Sequence, residues 1–151
     1  MKIAVGCDHN GLELKNAICD FLKEKGVEYK DFGVMTKDPI DYPDKAKEVA
    51  EAVAKGEFDR GILICGTGIG MAIAANKVRG IRAACCHDVY SAERSRKSNN
   101  AQIMTMGAFV IGVELAKMLV DAWLKSEFQG GRSAPKVEKI MQIEKEQFSK
   151  E

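Results

Sequence analysis

A cysteine followed by alternating glycines is the most reactive pattern in this sequence. The segment 61–70 joins an apolar run to Cys65 and then to glycines at every second position. Glycines at this spacing let the backbone turn sharply and direct its N–H groups into one concavity, which binds anions. A thiol beside such donors, at the start of a helix, favours the thiolate form. Cys65 is therefore the first candidate for chemistry.

Two chemical roles are open to a Cys65 thiolate. A nucleophilic cysteine needs a neighbouring histidine, and the chain has only His9 and His87. His87 precedes Asp88, a typical helix cap, so a structural role suits it better than proton shuttling. A base that removes a proton from carbon needs only a substrate proton within reach and donors for the enolate oxygen. The glycine loop offers such donors, which favours proton transfer.

A dinucleotide site is the competing interpretation of the glycine loop. A glycine-rich turn after a strand, with an acidic residue about 20 positions further on, is the usual signal, and Asp88 could be that residue. The spacing fails because Met71 stands where the third glycine is required. The length of 151 residues also leaves no room for a second, substrate-binding domain.

Composition favours small-molecule chemistry. The 23 basic and 22 acidic residues nearly cancel, and no basic stripe suits nucleic acid or anionic lipid. No apolar stretch approaches the ~20 residues of a membrane span and no signal-peptide pattern is present, so we expect a cytoplasmic protein. The cysteines lack metal-ligand spacing, so we expect reduced thiols and no metal or cofactor, with Cys85 and Cys86 inert on a buried strand.

Strands and helices alternate along the chain. Strands are predicted over 2–6, 27–32, 61–65, 81–86 and 103–106, with helices between them, one of them over the helix-forming run 71–77. A last helix carries an apolar stripe of Val137, Ile140, Met141 and Phe148, which Glu144 interrupts. This order predicts one α/β domain over 1–151, with a doubly wound, five-stranded parallel sheet, helices on both faces and an extra C-terminal helix. We expect that last helix to pack on a partner subunit.

Six short motifs together resemble a known family. They are Gly6-Cys7-Asp8-His9, Asp41-Tyr42-Pro43, the run from Cys65 to Gly70 with Ala74-Ala75-Asn76-Lys77, Gly80-Ile81-Arg82-Ala83, Asn99-Asn100-Ala101 and Gly130-Gly131-Arg132. In this order they resemble type B ribose-5-phosphate isomerase, whose wider family includes galactose-6-phosphate isomerase. The resemblance implies a Rossmann-like domain and a metal-free aldose–ketose isomerase of the pentose phosphate pathway. It also implies a homodimer with shared active sites, whose dimers could pair into tetramers.

The resemblance assigns roles to individual residues. It makes Cys65 the base that moves a proton between C1 and C2 through an enediolate, with Thr67 relaying a proton and Asp8 orienting hydroxyls or assisting ring opening. Without the resemblance, Thr67 is equally a turn residue, Asp8 a helix cap and Asn99 a loop residue. The substrate-binding residues implied are His9, Tyr42, Gly66, Gly68, Ile69, Gly70, Asn99 from the neighbouring subunit, Arg132 and Lys136.

Four positions depart from the family pattern. Ser98 stands where a histidine is thought to open the sugar ring, and a hydroxyl cannot change charge near neutral pH. Phe109 and Lys136 replace arginines that contact phosphate, and Ser133 replaces a common histidine. Losing one charge-assisted contact costs ~1.5–3 kcal/mol, so we expect weaker phosphate binding than in a typical relative.

The departures leave the substrate open. The remaining phosphate contacts would be His9, Arg132 and Lys136, unless Arg96 compensates; ion pairs or solvation otherwise suit Arg82, Arg94 and Arg96. Ribose 5-phosphate is the first candidate, but another pentose, tetrose or hexose phosphate, or an unphosphorylated sugar, would also fit. The chain could instead be an accessory subunit of a heteromeric isomerase, although the retention of Cys65 and Thr67 speaks against an inactive subunit.

Overall fold

A computed structural model describes residues 1–149 of the chain. The strands are β1 (Lys2–Cys7), β2 (Glu28–Asp31), β3 (Arg60–Cys65), β4 (Ala83–Cys85) and β5 (Ile103–Gly107). The helices are α1 (Leu12–Glu24), α2 (Tyr42–Ala54), α3 (Ile69–Ala75), α4 (Val89–Lys97), α5 (Val113–Lys125) and α6 (Ala134–Phe148). Short 3₁₀ turns cover His9–Gly11 and Gly131–Ser133. None of the described helices has the length and apolar character needed to cross a bilayer.

The five strands form one parallel sheet in the order β2-β1-β3-β5-β4. The chain moves outward from β1 to β2 and then, from β3, in the opposite direction. This reversal opens a crevice at the carboxyl ends of β1 and β3, where ligands bind in doubly wound folds. Cys7 pairs with Ile64, and Cys65 with Gly107, so the residues after β1 and β3 meet at this crevice.

Helices cover both faces of the sheet, as predicted. On one face, α1, α4 and α5 bury a cluster around Ile18, Met104 and Trp123. On the other, α2 and α3 pack around Val49, Leu63 and Met71. Continuous apolar runs such as β3, whose six residues are all buried, are what a sheet covered on both faces requires. The predicted doubly wound α/β fold is confirmed.

The bounds of three predicted elements and one burial prediction were wrong. The second and fourth strands are shorter than expected, covering 28–31 and 83–85. Both are edge strands with a single neighbour, so fewer residues can join a ladder. Cys85 lies on the outer edge strand and is exposed, not buried as predicted. The helix after the glycine loop begins at Ile69, two residues earlier than its composition suggested.

The C-terminal helix packs against the turn that precedes β4. Glu144 interrupts the apolar stripe because its Oε1 accepts a hydrogen bond from the Gly80 amide at 2.9 Å. Arg82 Nη1 lies 3.0 Å from Met141 Sδ on the same helix. Val137 is buried, whereas Ile140 and Ile143 stay exposed. The expectation that this helix contacts a partner subunit remains a prediction.

Candidate active site

Cys65 ends β3 and is held against the glycine loop. The Gly68 amide donates to Cys65 Sγ at 3.1 Å. Gly68 adopts the left-handed φ of 78°, and a methyl group there would lie 2.7 Å from the Met106 carbonyl carbon. Only glycine therefore lets the loop approach β5 and return to the sulfur. Cys65 is 5% exposed, so the thiol is largely withdrawn from water but remains bound to a backbone donor.

Several loop amides are free to bind an anion. The Ile69 amide donates to Thr67 Oγ1 at 3.3 Å, and the Thr105 hydroxyl fixes the Gly68 carbonyl at 2.7 Å. Within residues 1–149, the amides of Gly66 and Gly70 donate to no acceptor. The loop therefore presents donors next to the sulfur, as the glycine spacing predicted.

The other four thiols are shifted toward the neutral form. Burial raises the pKa of Cys7 and of Cys86 to about 11 and that of Cys19 to about 12. Burial also raises the pKa of Cys85, although that residue is exposed at one side. None of these four sulfurs accepts a hydrogen bond from a backbone amide of the glycine loop within residues 1–149. Cys65 is therefore distinguished by its donor.

Asp8 and His9 follow β1 at the same end of the sheet. Asp8 is buried, and its Oδ1 accepts from the amides of Asn10 at 3.0 Å and Gly11 at 3.2 Å. It is thus the helix cap that the residue pattern allowed, yet Oδ2 makes no hydrogen bond within residues 1–149. His9 Nδ1 accepts from the Ile40 amide at 3.2 Å, which fixes the neutral tautomer with its proton on Nε2.

A cavity of about 510 Å³ lies beside these residues. Its walls include Asp8, His9, Ile40 and the first turn of α2 with Tyr42. The Tyr42 ring also lies over Gly70, so it joins this cavity to the glycine loop. The structure therefore brings together Asp8, His9, Tyr42 and the loop Cys65–Gly70, all predicted from the sequence.

The remaining predicted residues lie at the opposite end of the sheet. Ser98 caps the carboxyl end of α4, and Asn99 follows it on the way to β5. There the Gln102 carbonyl accepts from the Gly61 amide near the start of β3. Gly61 lies about 13 Å along the strand from Cys65. Arg132 and Lys136 begin the C-terminal segment, whose Gln129 amide donates to the Lys97 carbonyl at 3.1 Å. Within one chain these four residues do not meet Cys65.

Several arginines and His87 have structural partners. Arg94 donates from Nε to Ser98 Oγ at 2.9 Å, and Arg96 is buried against the carbonyl of Ala101 at 2.9 Å. Arg96 therefore does not supply a phosphate contact at the Cys65 end. His87 Nε2 accepts from the Gly107 amide at 2.9 Å, the structural role favoured for it.

Phe109 lies at this site, and two other wall residues, Asn10 and Lys37, were not predicted to shape it. A methyl group on Gly66 would lie 2.9 Å from Phe109 Cδ2, so the ring covers the glycine loop. Phe109, Asn10 and Lys37 line a second cavity of about 310 Å³, together with His9. Asn10 could have been suspected from its place after Asp8-His9, whereas Lys37 lies in a loop without any signal. No group of three potential metal ligands occurs in the described part of the chain.

The fold and the site define an α/β enzyme with a thiol at an amide-rich loop. The family model described as Ribose/Galactose Isomerase matches residues 3–140. Ribose-5-P isomerase B of Listeria innocua is 58% identical over 144 residues, 95% of this chain and 97% of the relative. D-erythrulose-4-phosphate isomerase of Pectobacterium atrosepticum is 57% identical over 142 residues, covering 93% of each chain.

Comparison with a solved structure indicates the same family. Ribose-5-phosphate isomerase B of Clostridium thermocellum superposes with a TM-score of 0.95 at 56% identity, over 97% of this chain and 99% of the other. This chain belongs to the ribose/galactose isomerase family, and it is a sugar-phosphate aldose–ketose isomerase.

Proposed function

We propose that this enzyme interconverts ribose 5-phosphate and ribulose 5-phosphate, with Cys65 as the base. The observation that carries the proposal is the 3.1 Å hydrogen bond from the Gly68 amide to Cys65 Sγ. An N–H donor stabilises a thiolate over a thiol, and a thiolate is the form that can remove a proton from carbon. The identity to ribose-5-phosphate isomerases B supports this substrate, and a cytoplasmic place in the pentose phosphate pathway would follow from it.

The proton transfer needs an oxyanion site as well as a base. When Cys65 Sγ removes the C2 proton of the open-chain aldose, the C2–H electrons form the C1–C2 double bond and the carbonyl oxygen becomes negative. The free amides of Gly66 and Gly70 can bind that oxygen. One preorganised donor of this kind contributes about 2.7–4 kcal/mol in other enzymes. Delivery of the proton to C1 then gives the ketose.

Neighbouring side chains complete the proposed reaction. The Thr67 hydroxyl belongs to the same loop, two residues after Cys65, and can relay a proton between O1 and O2 of the enediolate. The unused Oδ2 of Asp8 can orient a sugar hydroxyl or accept its proton during ring opening. His9 presents its Nε2 proton as a donor toward the cavity, which suits a phosphate oxygen.

A homodimer with shared sites would supply the missing contacts. Ser98, Asn99, Arg132 and Lys136 occupy the end of the molecule opposite Cys65, so a second copy would have to bring them to it. Exposed apolar side chains flank the glycine loop, with Ile69 57%, Ile73 59% and Phe109 74% exposed. A partner covering them would bury apolar surface and close the site against water. Dimers could pair further into tetramers.

Subunit complementation tests this shared site. Cys65→Ala removes the residue that one subunit contributes to a shared site, and Asn99→Ala removes the residue that the other subunit contributes. A dimer with one subunit of each variant contains one site with both native residues. Equal mixing after reversible dissociation should restore about a quarter of the native activity, because half of the dimers are mixed. No recovery, while gel filtration shows that mixed dimers form, would contradict site sharing.

A tetrose phosphate is the second candidate substrate. The 57% identity to a D-erythrulose-4-phosphate isomerase is as high as that to the ribose-5-phosphate isomerases. Ser98 does not supply the imidazole that is thought to open the sugar ring. A tetrose 4-phosphate needs no ring opening, because its phosphorylated oxygen cannot close a furanose ring. Ser98, Phe109, Ser133 and Lys136 would then fit a substrate that needs no ring opening.

A substrate panel decides between these functions. Purified protein is incubated in D₂O with tetrose, pentose and hexose phosphates, and deuterium entry at the carbon next to the carbonyl is followed by NMR. Fastest exchange with ribose 5-phosphate supports the first proposal, and fastest exchange with the tetrose phosphate supports the second. Exchange with none of them would favour the accessory-subunit alternative.

A further inference from the structure

Two buried arginines line a cavity at the opposite end of the sheet from Cys65. Arg60 is the first residue of β3, and Arg96 lies in the last turn of α4. They are 3% and 7% exposed, respectively. The cavity has a volume of about 380 Å³, and its other walls are Met1, Asp59 and Glu127. Buried guanidinium groups at a surface cavity are costly unless anions satisfy them.

Most hydrogen bonds of Arg60 go to the carboxyl end of α5. Its Nη1 donates to the Trp123 carbonyl at 2.6 Å and its Nη2 to the Ser126 carbonyl at 2.9 Å. These contacts satisfy the free carbonyls of the helix terminus. The second Nη2 proton goes to Glu127 Oε1 at 2.7 Å. Only this last contact involves a group that can move away.

Arg96 has one occupied and one free edge. Its Nη1 donates to Asn100 Oδ1 at 3.2 Å and to the Ala101 carbonyl at 2.9 Å. Its Nε is buried and has no hydrogen-bond partner within residues 1–149. Its Nη2 has only Glu127 Oε2 nearby, at 3.7 Å, too far for a hydrogen bond. Nε and Nη2 form the side of the guanidinium that binds two oxygens of one anion.

Glu127 covers the two arginines without filling the site. Its side chain is 70% exposed and comes from the loop after α5. Ion pairs of exposed carboxylates are weak because solvent screens them and side-chain entropy opposes them. The carboxylate can therefore leave toward water, which frees an Nη2 proton of Arg60 and uncovers the unpaired edge of Arg96.

The side chains around the cavity carry a positive excess once Glu127 moves away. Burial, followed by the nearby charge of Arg60, lowers the pKa of Arg96 to about 10, and Arg82 acts in the same direction. Arg96 is still protonated at neutral pH. Asp59 also lines the cavity and opposes an anion, but its Oδ2 already accepts the Lys2 amide at 2.7 Å. Without the Glu127 carboxylate, two arginines thus face one carboxylate in a partly dehydrated place.

We propose that this cavity is a second anion site, in which a phosphate group replaces the Glu127 carboxylate between Arg60 and Arg96. Two phosphate oxygens accept from Nε and Nη2 of Arg96, and a third accepts the released Nη2 proton of Arg60. The phosphate group can come from inorganic phosphate or from a small phosphate monoester. No residue assigned to isomerisation lines this cavity, although Ser98 and Asn99 follow Arg96 closely in the chain. The proposal is therefore tested separately from the proposed reaction.

The test follows the Arg96 Nε–H signal by ¹H–¹⁵N NMR while inorganic phosphate, or glycerol phosphate as the monoester, is added. The signal is assigned by its loss in Arg96→Lys, which keeps the charge but removes the two-donor edge. Phosphate should shift this signal, and Glu127→Gln should bind it roughly tenfold more tightly because the competing carboxylate is gone. Binding of the monoester as well would identify an organic phosphate as a possible source.

A control separates this site from the Cys65 site. Arg132→Ala weakens the phosphate contact proposed for the isomerase reaction, and it should leave the Arg96 response unchanged. The proposal is overturned if the Arg96 signal does not move in the native protein or in Glu127→Gln. It is also overturned if the response disappears in Arg132→Ala, because the signal would then report on the isomerase site.

Discussion

The Tyr42 ring lies directly over Gly70, where any side chain would have to displace the ring. A methyl group on Gly70 would lie 2.7 Å from the Tyr42 hydroxyl oxygen and would overlap the ring. Gly70 lies in the first turn of α3 and Tyr42 begins α2. Their contact couples the glycine loop to the wall of the cavity beside Asp8 and His9.

Replacing Gly70 should therefore disturb activity more than stability. In Gly70→Ala the half-exposed Tyr42 ring can swing aside, so we expect little change in the melting temperature. A displaced wall should lower kcat/KM about tenfold to a hundredfold, the scale of a 1 Å misplacement. Steady-state kinetics measure this effect. Gly112→Ala is the matched control, because a methyl group there meets no atom within 4 Å and its φ of −90° suits alanine. Equal loss in both variants would contradict a special role for the Tyr42 contact.

The cysteines should differ in their reactivity toward iodoacetamide. Cys7, Cys19 and Cys86 should remain unlabelled at pH 8 because burial raises each pKa to about 11 or 12, and only thiolates react. Cys65 should be labelled first. Cys85 should follow, because it is exposed but its pKa is also raised by burial. Mass spectrometry of digested protein identifies the sites, and a substrate analogue should slow labelling at Cys65 alone. Early labelling of Cys7 or Cys19 in folded protein would contradict the burial of these thiols.

Phe109 should limit phosphate binding. The ring stands at the cavity beside His9 and Lys37. The family resemblance places an arginine at this position. Phe109→Arg should lower KM for ribose 5-phosphate roughly tenfold, since it adds one charge-assisted contact. Val110→Arg is the matched control, because Val110 is also exposed and the new arginine adds the same charge one residue away. An equal change in both variants would point to general charge attraction, not to a contact at position 109.

Ser98 tests which group opens the sugar ring. In Ser98→His, an imidazole replaces a hydroxyl that Arg94 now holds at 2.9 Å. If ring opening limits the rate, turnover of ribose 5-phosphate should rise, while a tetrose phosphate should be unaffected. Comparing kcat for the two substrates isolates the effect, since the tetrose needs no such step. An unchanged or lower pentose rate would assign ring opening to another group, such as Asp8 or water.

The sheet and the glycine loop could be predicted from the sequence because both depend on local patterns. Continuous apolar runs indicated buried parallel strands, and the glycine spacing after Cys65 indicated the amide-rich turn. The short lengths of the edge strands and the exposure of Cys85 could not be predicted, because they depend on which strands have only one neighbour. Sequence order also gave no sign that β5 lies between β3 and β4.

Buried charged residues also could not be predicted from the sequence. Lys15 lies on the buried face of α1 and pairs with Asp31 at 2.7 Å, although a lysine there looks like a break in the apolar stripe. Arg60 lies outside the predicted strand 61–65, but it is the first residue of β3 and is buried against the end of α5. Such partners lie 16 and 63 residues away along the chain, beyond any local pattern.

The most direct test of Cys65 as the base is proton exchange in Cys65→Ala. The variant is mixed with ribose 5-phosphate in D₂O, and deuterium at C2 is followed by NMR, with Cys85→Ala as the matched thiol control. Circular dichroism should show both variants folded. Cys65 as the base predicts that exchange disappears in Cys65→Ala and persists in Cys85→Ala. Exchange at the native rate in folded Cys65→Ala would contradict it.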